Sequence, residues 1–201
     1  MLPLILASSS PRRQQLMREA GYEFTVTPPR PEAETDAGED EPAPMLVARL
    51  AWQKAVDVVG QITEGIVIAC DTVAECDGHI LGKPRDAAHA KAMLRHLNGR
   101  AHRVYTGLCV WPTPHGEPEV VVECTVLRMD KLAAADLDAY LATRAWEGKA
   151  GAFGYQDGPD WLHVIQGSES NVVGLPMEAL KKLLRKASKV RKPKHGARGT
   201  E

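Results

Sequence analysis

Apolar and polar positions along the chain follow two periods, one of strands and one of helices. Leu2 to Ala7 is a continuous apolar run, the pattern of a buried parallel strand. Ser8, Ser9, Ser10 and Pro11 stop it and open a helix, with Ser10 as N-cap and Pro11 as the first helical residue. That helix is expected to reach Ala20, where Gly21 ends it. Tyr22 to Thr27 reads as a second short strand. From Pro28 to Pro44 the periodicity is lost under prolines and acids, which predicts a loop. Met45 to Val59 returns to helical spacing, with Val47, Leu50, Ala51, Ala55 and Val58 on one face.

Ile66 to Glu75 is a strong strand. Asp77-Gly78 signals a hairpin turn and His79 to Leu81 the return. Ala87 to Leu97 is helical, closed by Asn98-Gly99. Arg103 to Trp111 and Val120 to Met129 form two longer strands joined by a Pro/Gly loop. A helix over Ala133 to Thr143, a glycine-rich stretch over Lys149 to Gly158 and a strand over Trp161 to Ile165 follow. Ser170 to Pro176 reads as a turn into a last helix, ending near Ala187 with Leu180, Leu183 and Leu184 inward. Strands and helices alternate early and the later strands cluster. This predicts an α/β fold around a mixed sheet, with one domain over 1–187 and a basic, disordered tail over 188–201.

Composition narrows the classes. A chain of 201 residues, 44% hydrophobic and 25% charged, suits one α/β domain. No apolar run reaches the roughly 18 residues of a membrane helix. The first apolar run is followed, not preceded, by arginines, so no secretory signal is read and a cytoplasmic protein is expected. Cys70, Cys76, Cys109 and Cys124 form no C-x-x-C pair, and the histidines show no metal-ligand spacing, so neither a zinc motif nor a redox motif is read. Cys70 and Cys109 lie in apolar runs as small buried hydrophobes. The net charge of −1 hides an asymmetry: Lys181 to Arg198 carries nine Lys or Arg and no acid. The remaining body is acidic and a poor platform for nucleic acid, and the tail reads as a solvated extension.

Within that acidic body, a few polar residues stand where the pattern calls for apolar or neutral ones. Ser8-x-Ser10-Pro11-Arg12-Arg13 joins a strand end to a helix start, where free N–H groups, the helix dipole and two guanidinium forks can hold phosphates. It also reads as a simple cap with two solvated arginines. Asp71 interrupts the apolar run from Ile66 to Val73. It must be paired, hydrogen-bonded or ligating a metal, and can be a base or a structural turn residue. Lys54 falls beside the apolar face of its helix, either snorkelling outward or reaching into a site. Lys83, in Gly82-Lys83-Pro84, can act as a point charge on a phosphate. Gln156, in the small-residue stretch KAGAFGYQ, can read a base edge or close a packed turn. There is no P-loop signature.

Taken in order, LASSSPRR at 6–13, RLAWQKA at 49–55, ACDTV at 69–73, ILGKPRD at 80–86, MLRHLNGRAHRVYTG at 93–107, KAGAFGYQ at 149–156 and NVVGLP at 171–176 resemble the Maf family of nucleotide pyrophosphatases. The resemblance runs from Leu4 to about Leu184. It implies an elongated α/β structure with a mixed sheet and a cleft between two lobes, similar to the inosine-triphosphate pyrophosphatase fold. It implies hydrolysis of a nucleoside triphosphate to the monophosphate and pyrophosphate, with a divalent metal, Mg²⁺ or Mn²⁺. By resemblance Asp71 is the proton acceptor and binds the metal with Glu32. Arg12, Thr72 and Gln156 correspond to positions of substrate choice, and Ser8, Arg12, Arg13, Lys54 and Lys83 to phosphate-binding positions. SPRR, ACDTV and KAGAFGYQ resemble the branch that takes dTTP and UTP. The branch that takes 7-methyl-GTP has Trp for the first arginine and D-Q for D-T. One departure is that Glu32 is followed by Ala33 where the family has two adjacent acids. A 7-methyl-GTP-type pyrophosphatase and, from a different class, a non-catalytic nucleotide-binding regulator of cell division are the alternatives, and a homodimer is compatible with the resemblance.

Overall fold

The computed structural model describes residues 2–35, 37–38, 40–157 and 160–189. Of the segment expected to be a tail, 190–201 lies outside the described residues. So does Gly158, at the end of the glycine-rich stretch.

The chain forms a seven-stranded mixed sheet flanked by helices. The strands are β1 (Leu4–Leu6), β2 (Phe24–Val26), β3 (Gly65–Cys76), β4 (His79–Leu81), β5 (Ala101–Thr113), β6 (Glu119–Met129) and β7 (Leu162–Gln166). The helices are α1 (Pro11–Glu19), α2 (Ala43–Val59), α3 (Ala87–Leu97), α4 (Ala134–Ala142), α5 (Glu169–Val173) and α6 (Met177–Ala187). The sheet order is β2-β1-β3-β5-β6-β7, with β4 also on β3. The mixed α/β class predicted from the sequence is therefore the one observed. Pairs β1–β2 and β1–β3 are parallel, and the remaining pairs are antiparallel.

Three local expectations are corrected. Ser10 stands at the N-cap of α1 but its side chain makes no capping bond. Instead its backbone N–H donates to Ser8 Oγ at 3.2 Å. Inside the segment read as a turn, Glu169–Val173 forms α5, which Gly174 ends in the left-handed conformation at φ 113°. Five residues are too few for periodicity to reveal. The loop over 28–44 contains a 3-10 turn at Pro31–Ala33, and α2 starts at Ala43.

β3 organises the molecule. One edge pairs with β5 from Gly65 to Glu75. The other edge is shared: β1 covers Ile66 to Ile68 and β4 covers Ala74 to Cys76. Among the described residues no strand pairs with that edge between these two. This leaves a notch at Ala69 to Val73, between the exit of β1 and the exit of β4.

The cores divide at the same place. Ile66, Ile68 and Cys70 pack with Leu6, Met17, Leu180 and Leu183 under α1 and α6. Val67 and Ala69, on the opposite face, pack with Ala51, Ala55 and Val58 of α2. Past the notch, Ala74 and Cys76 join a separate core with Leu94, Leu97, Leu127 and Phe153. A strand's side chains alternate between faces. Asp71 therefore points toward α2 and Thr72 toward α1.

Candidate active site

Asp71 and Lys54 form the centre of the notch. Helical spacing puts Lys54 in line with Leu50, Ala51, Ala55 and Val58, all buried, and Lys54 is buried with them. Its Nζ reaches Asp71 Oδ1 at 2.6 Å. Both side chains are largely enclosed, at 10% and 14% exposure, so each charge needs the other. Lys54 reaches inward and does not snorkel. The close approach of α2 has a local cause. In register beside Asp71, β5 carries Gly107. A side-chain carbon there would lie 2.1 Å from Val47 O of α2. Only glycine lets the helix settle this close to the sheet.

A second carboxylate completes the pair, and it is Glu34. Its Oε2 lies 3.0 Å from Lys54 Nζ. Three ties lace the preceding loop along α2. Arg30 pairs with Asp57 at 2.5 Å. Arg49 bonds Thr35 Oγ1 at 2.5 Å and Glu41 Oε2 at 2.7 Å. Gln53 Oε1 accepts from Thr35 N–H at 3.3 Å. These hold Glu34 over Lys54. Glu32, the metal ligand that the resemblance implies, is exposed on the 3-10 turn, where its charge acts on Arg30. The pairing of Glu34 with Lys54 is not legible in the sequence, because an acid-rich, proline-rich loop offers no periodicity to orient its side chains.

On the other face, Arg13 is tied on four sides. Its Nε donates to Gly174 O at 2.7 Å, Nη1 to Cys70 O at 2.9 Å and to Ser8 Oγ at 3.2 Å, and Nη2 to Thr72 Oγ1 at 3.1 Å. Four of its five N–H groups are thus committed to protein acceptors. The bond to Cys70 O satisfies a carbonyl on the open edge of β3. Thr72 Oγ1 lies 2.9 Å from Thr106 Oγ1, and the buried Thr106 donates to Asn171 O at 3.1 Å. Because Thr106 spends its proton on Asn171, Thr72 must donate to Thr106. The chain runs one way, Arg13 to Thr72 to Thr106 to Asn171. Thr72 retains one lone pair and no free proton.

The other cations are less committed. Lys83, just past β4, is exposed, yet its ammonium pKa is lowered by burial of its head, then by repulsion from Lys54 and Arg13. Arg12 donates one bond, from Nη2 to Gly148 O at 3.1 Å. Its pKa is lowered by burial and by Arg13, and opposed by Asp157. Gln156 is exposed and lines a shallow depression with Leu16, Tyr155, Ser168, Glu169 and Glu178. The structure thus gathers Ser8, Arg13 and Thr72 on one face of β3. Lys54 and Asp71 lie on the other, and Lys83 is within electrostatic reach of both. Gln156 is not among these residues and lines the depression beside Leu16 of α1.

Asp71 and Glu34 present oxygens to a single cation, Lys54. Hard carboxylate oxygens converging on one positive centre suit Mg²⁺ or Mn²⁺, so the donor set fits a divalent ion held by these two residues.

Residues 3–187 match the family described as Maf-like protein. The chain belongs to that family. It is 56% identical to a dTTP/UTP pyrophosphatase of Rhodopirellula baltica, over 90% of this chain and 80% of that protein. It is 42% identical to a dTTP/UTP pyrophosphatase of Symbiobacterium thermophilum, over 92% of this chain and 93% of the relative. A third, from Carboxydothermus hydrogenoformans, is 39% identical over 92% of this chain and 98% of its own length. Among the described residues no helix is long and apolar enough to cross a membrane.

Proposed function

We propose that this Maf-family protein hydrolyses dTTP and UTP in the cytoplasm, giving the nucleoside monophosphate and pyrophosphate. The observation that carries the reading is the Lys54-bridged pair of Asp71 and Glu34 in an open notch, in a chain 56% identical to a dTTP/UTP pyrophosphatase.

Water attacks the α-phosphorus in line with the bond to the β-phosphate. The new P–O bond forms as the α–β bridging bond breaks, and pyrophosphate leaves with the electron pair. Asp71 takes the proton of the attacking water. Lys54 holds Asp71 Oδ1 and so fixes the carboxylate's orientation. Lys83 and Arg12 offer positive charge to the phosphates without first breaking an ion pair, in a preorganised field. Arg13 and Ser8 shape the floor of the notch. A divalent ion held by Asp71 and Glu34 would supply further charge to the phosphate oxygens. Thr72, which can only accept, suits a base that offers an N–H, as the N3 position of thymine and uracil does. Gln156, with both a donor and an acceptor, contributes to base choice from the rim.

The Asp71→Asn variant tests the role of the base. Turnover of dTTP should fall by at least about 100-fold, the loss of a positioned base, while dTTP binding by calorimetry is retained. Undiminished turnover would remove Asp71 from the mechanism.

A further inference from the structure

The β3–β4 hairpin carries a second set of metal-ligating side chains. Cys76, the last residue of β3, Asp77, the first of the turn, and His96, in the last turn of α3, bring one sulfur, one carboxylate oxygen and one ring nitrogen within 4.8 Å of one another. Ligand atoms around a tetrahedral Zn²⁺ stand about 3.3–3.8 Å apart, given its usual bond lengths. The cluster therefore lies about 1 Å from a closed site, a shift that side-chain rotation can supply.

Two further observations bear on it. His96 Nε2 lies 3.2 Å from Cys76 O, and a carbonyl can only accept, so Nε2 carries the proton. This fixes the tautomer and leaves the Nδ1 lone pair for a cation, the arrangement that orients metal-binding histidines. The cluster also already holds a positive group. Arg100 Nη1 lies 2.9 Å from Asp77 Oδ2 and 3.4 Å from His96 Nδ1. Its guanidinium is half exposed, so it can leave to solvent with its charge solvated.

The geometry points to a non-catalytic site for a borderline-soft divalent metal, Zn²⁺ above all, bound by Cys76, Asp77 and His96 with Arg100 as its stand-in cation. The sulfur, nitrogen and oxygen donor set favours Zn²⁺ over the Mg²⁺ that suits all-oxygen sites. On binding, the Cys76 thiol releases its proton to solvent and a sulfur–metal bond forms. Arg100 swings outward, and the fourth position is left to water. The site joins the hairpin to α3 and is separate from Asp71. No sequence motif marks it, because its ligands come from two elements.

Titration of the full chain with Co²⁺ and Zn²⁺ tests the proposal. Co²⁺ should give a thiolate charge-transfer band with one equivalent bound. The band should persist in Asp71→Asn and Cys124→Ser. Cys76→Ser should abolish it, and His96→Gln, at a less buried position, should weaken Zn²⁺ affinity by at least about tenfold. Arg100→Gln should tighten Zn²⁺ binding, an effect a merely structural cluster would not give. A band that survives Cys76→Ser, a band lost in Cys124→Ser, the absence of a thiolate band, or weaker binding in Arg100→Gln would each overturn it.

Discussion

Arg12 and Arg13 are neighbours in sequence and differ in surroundings. Arg13 feeds four protein acceptors in the turn after β1, in β3 and just past the end of α5, whereas Arg12 makes one bond to a backbone carbonyl. Arg13→Lys keeps the charge but loses the fork. It should lower unfolding free energy by about 2–3 kcal/mol, measured by urea denaturation. Arg12→Lys should leave that free energy within about 0.5 kcal/mol and raise the KM for dTTP. The two acids of the loop separate the same way. Glu34→Gln should raise the metal concentration needed for half-maximal turnover, and Glu32→Gln should not. His102 offers a pH signature. It is buried against Phe153, and burial lowers its pKa from 6.5 to about 4. The folded state thus binds fewer protons than the unfolded state between these values. Its contribution is present above pH 6.5 and is lost as pH falls toward 4, on the order of 3 kcal/mol. His102→Leu should flatten that part of the stability profile in chemical denaturation.

Between α2 and the sheet, the contact rests on a missing side chain. Gly107→Ala would drive a carbon into Val47 O. The helix must move, which should destabilise the protein by about 1–3 kcal/mol and lower kcat by pulling Lys54 from Asp71, both read on the purified variant. Elements of this kind were largely legible in advance. The apolar run of β3, the helical face of α2 and the Asp77-Gly78 turn each follow from local spacing. So did the oddity of Asp71 and Lys54, two charges in apolar patterns. What local spacing does not contain is partnership across the chain. Arg13 meets Gly174 over a separation of 161 residues, and Thr72 meets Thr106 over 34. Two residues that look like free phosphate and base ligands in the sequence are, in the fold, mostly occupied in holding each other. Glu34 was hidden for the related reason that its position depends on Arg49 and Gln53 of a different element.

Across the whole molecule, β3 runs from the cores packed under α1 and α2 to the separate core beyond Ala74, and its reactive residues lie at the unpaired edge between them. Cores on either side frame the notch, while the interrupted edge keeps it open. That arrangement explains how a buried strand can present a carboxylate to a ligand. The family match ends at residue 187. Truncation after Lys189 should therefore leave dTTP turnover unchanged, and any salt-sensitive affinity for RNA or DNA should be lost with the removed basic residues. The most direct measurement is pyrophosphate release by the intact protein from dTTP, UTP, CTP, GTP and 7-methyl-GTP, each with Mg²⁺ or Mn²⁺. The account predicts metal-dependent release with kcat/KM highest for dTTP and UTP. Preference for 7-methyl-GTP, or no release from any of the five, would contradict it.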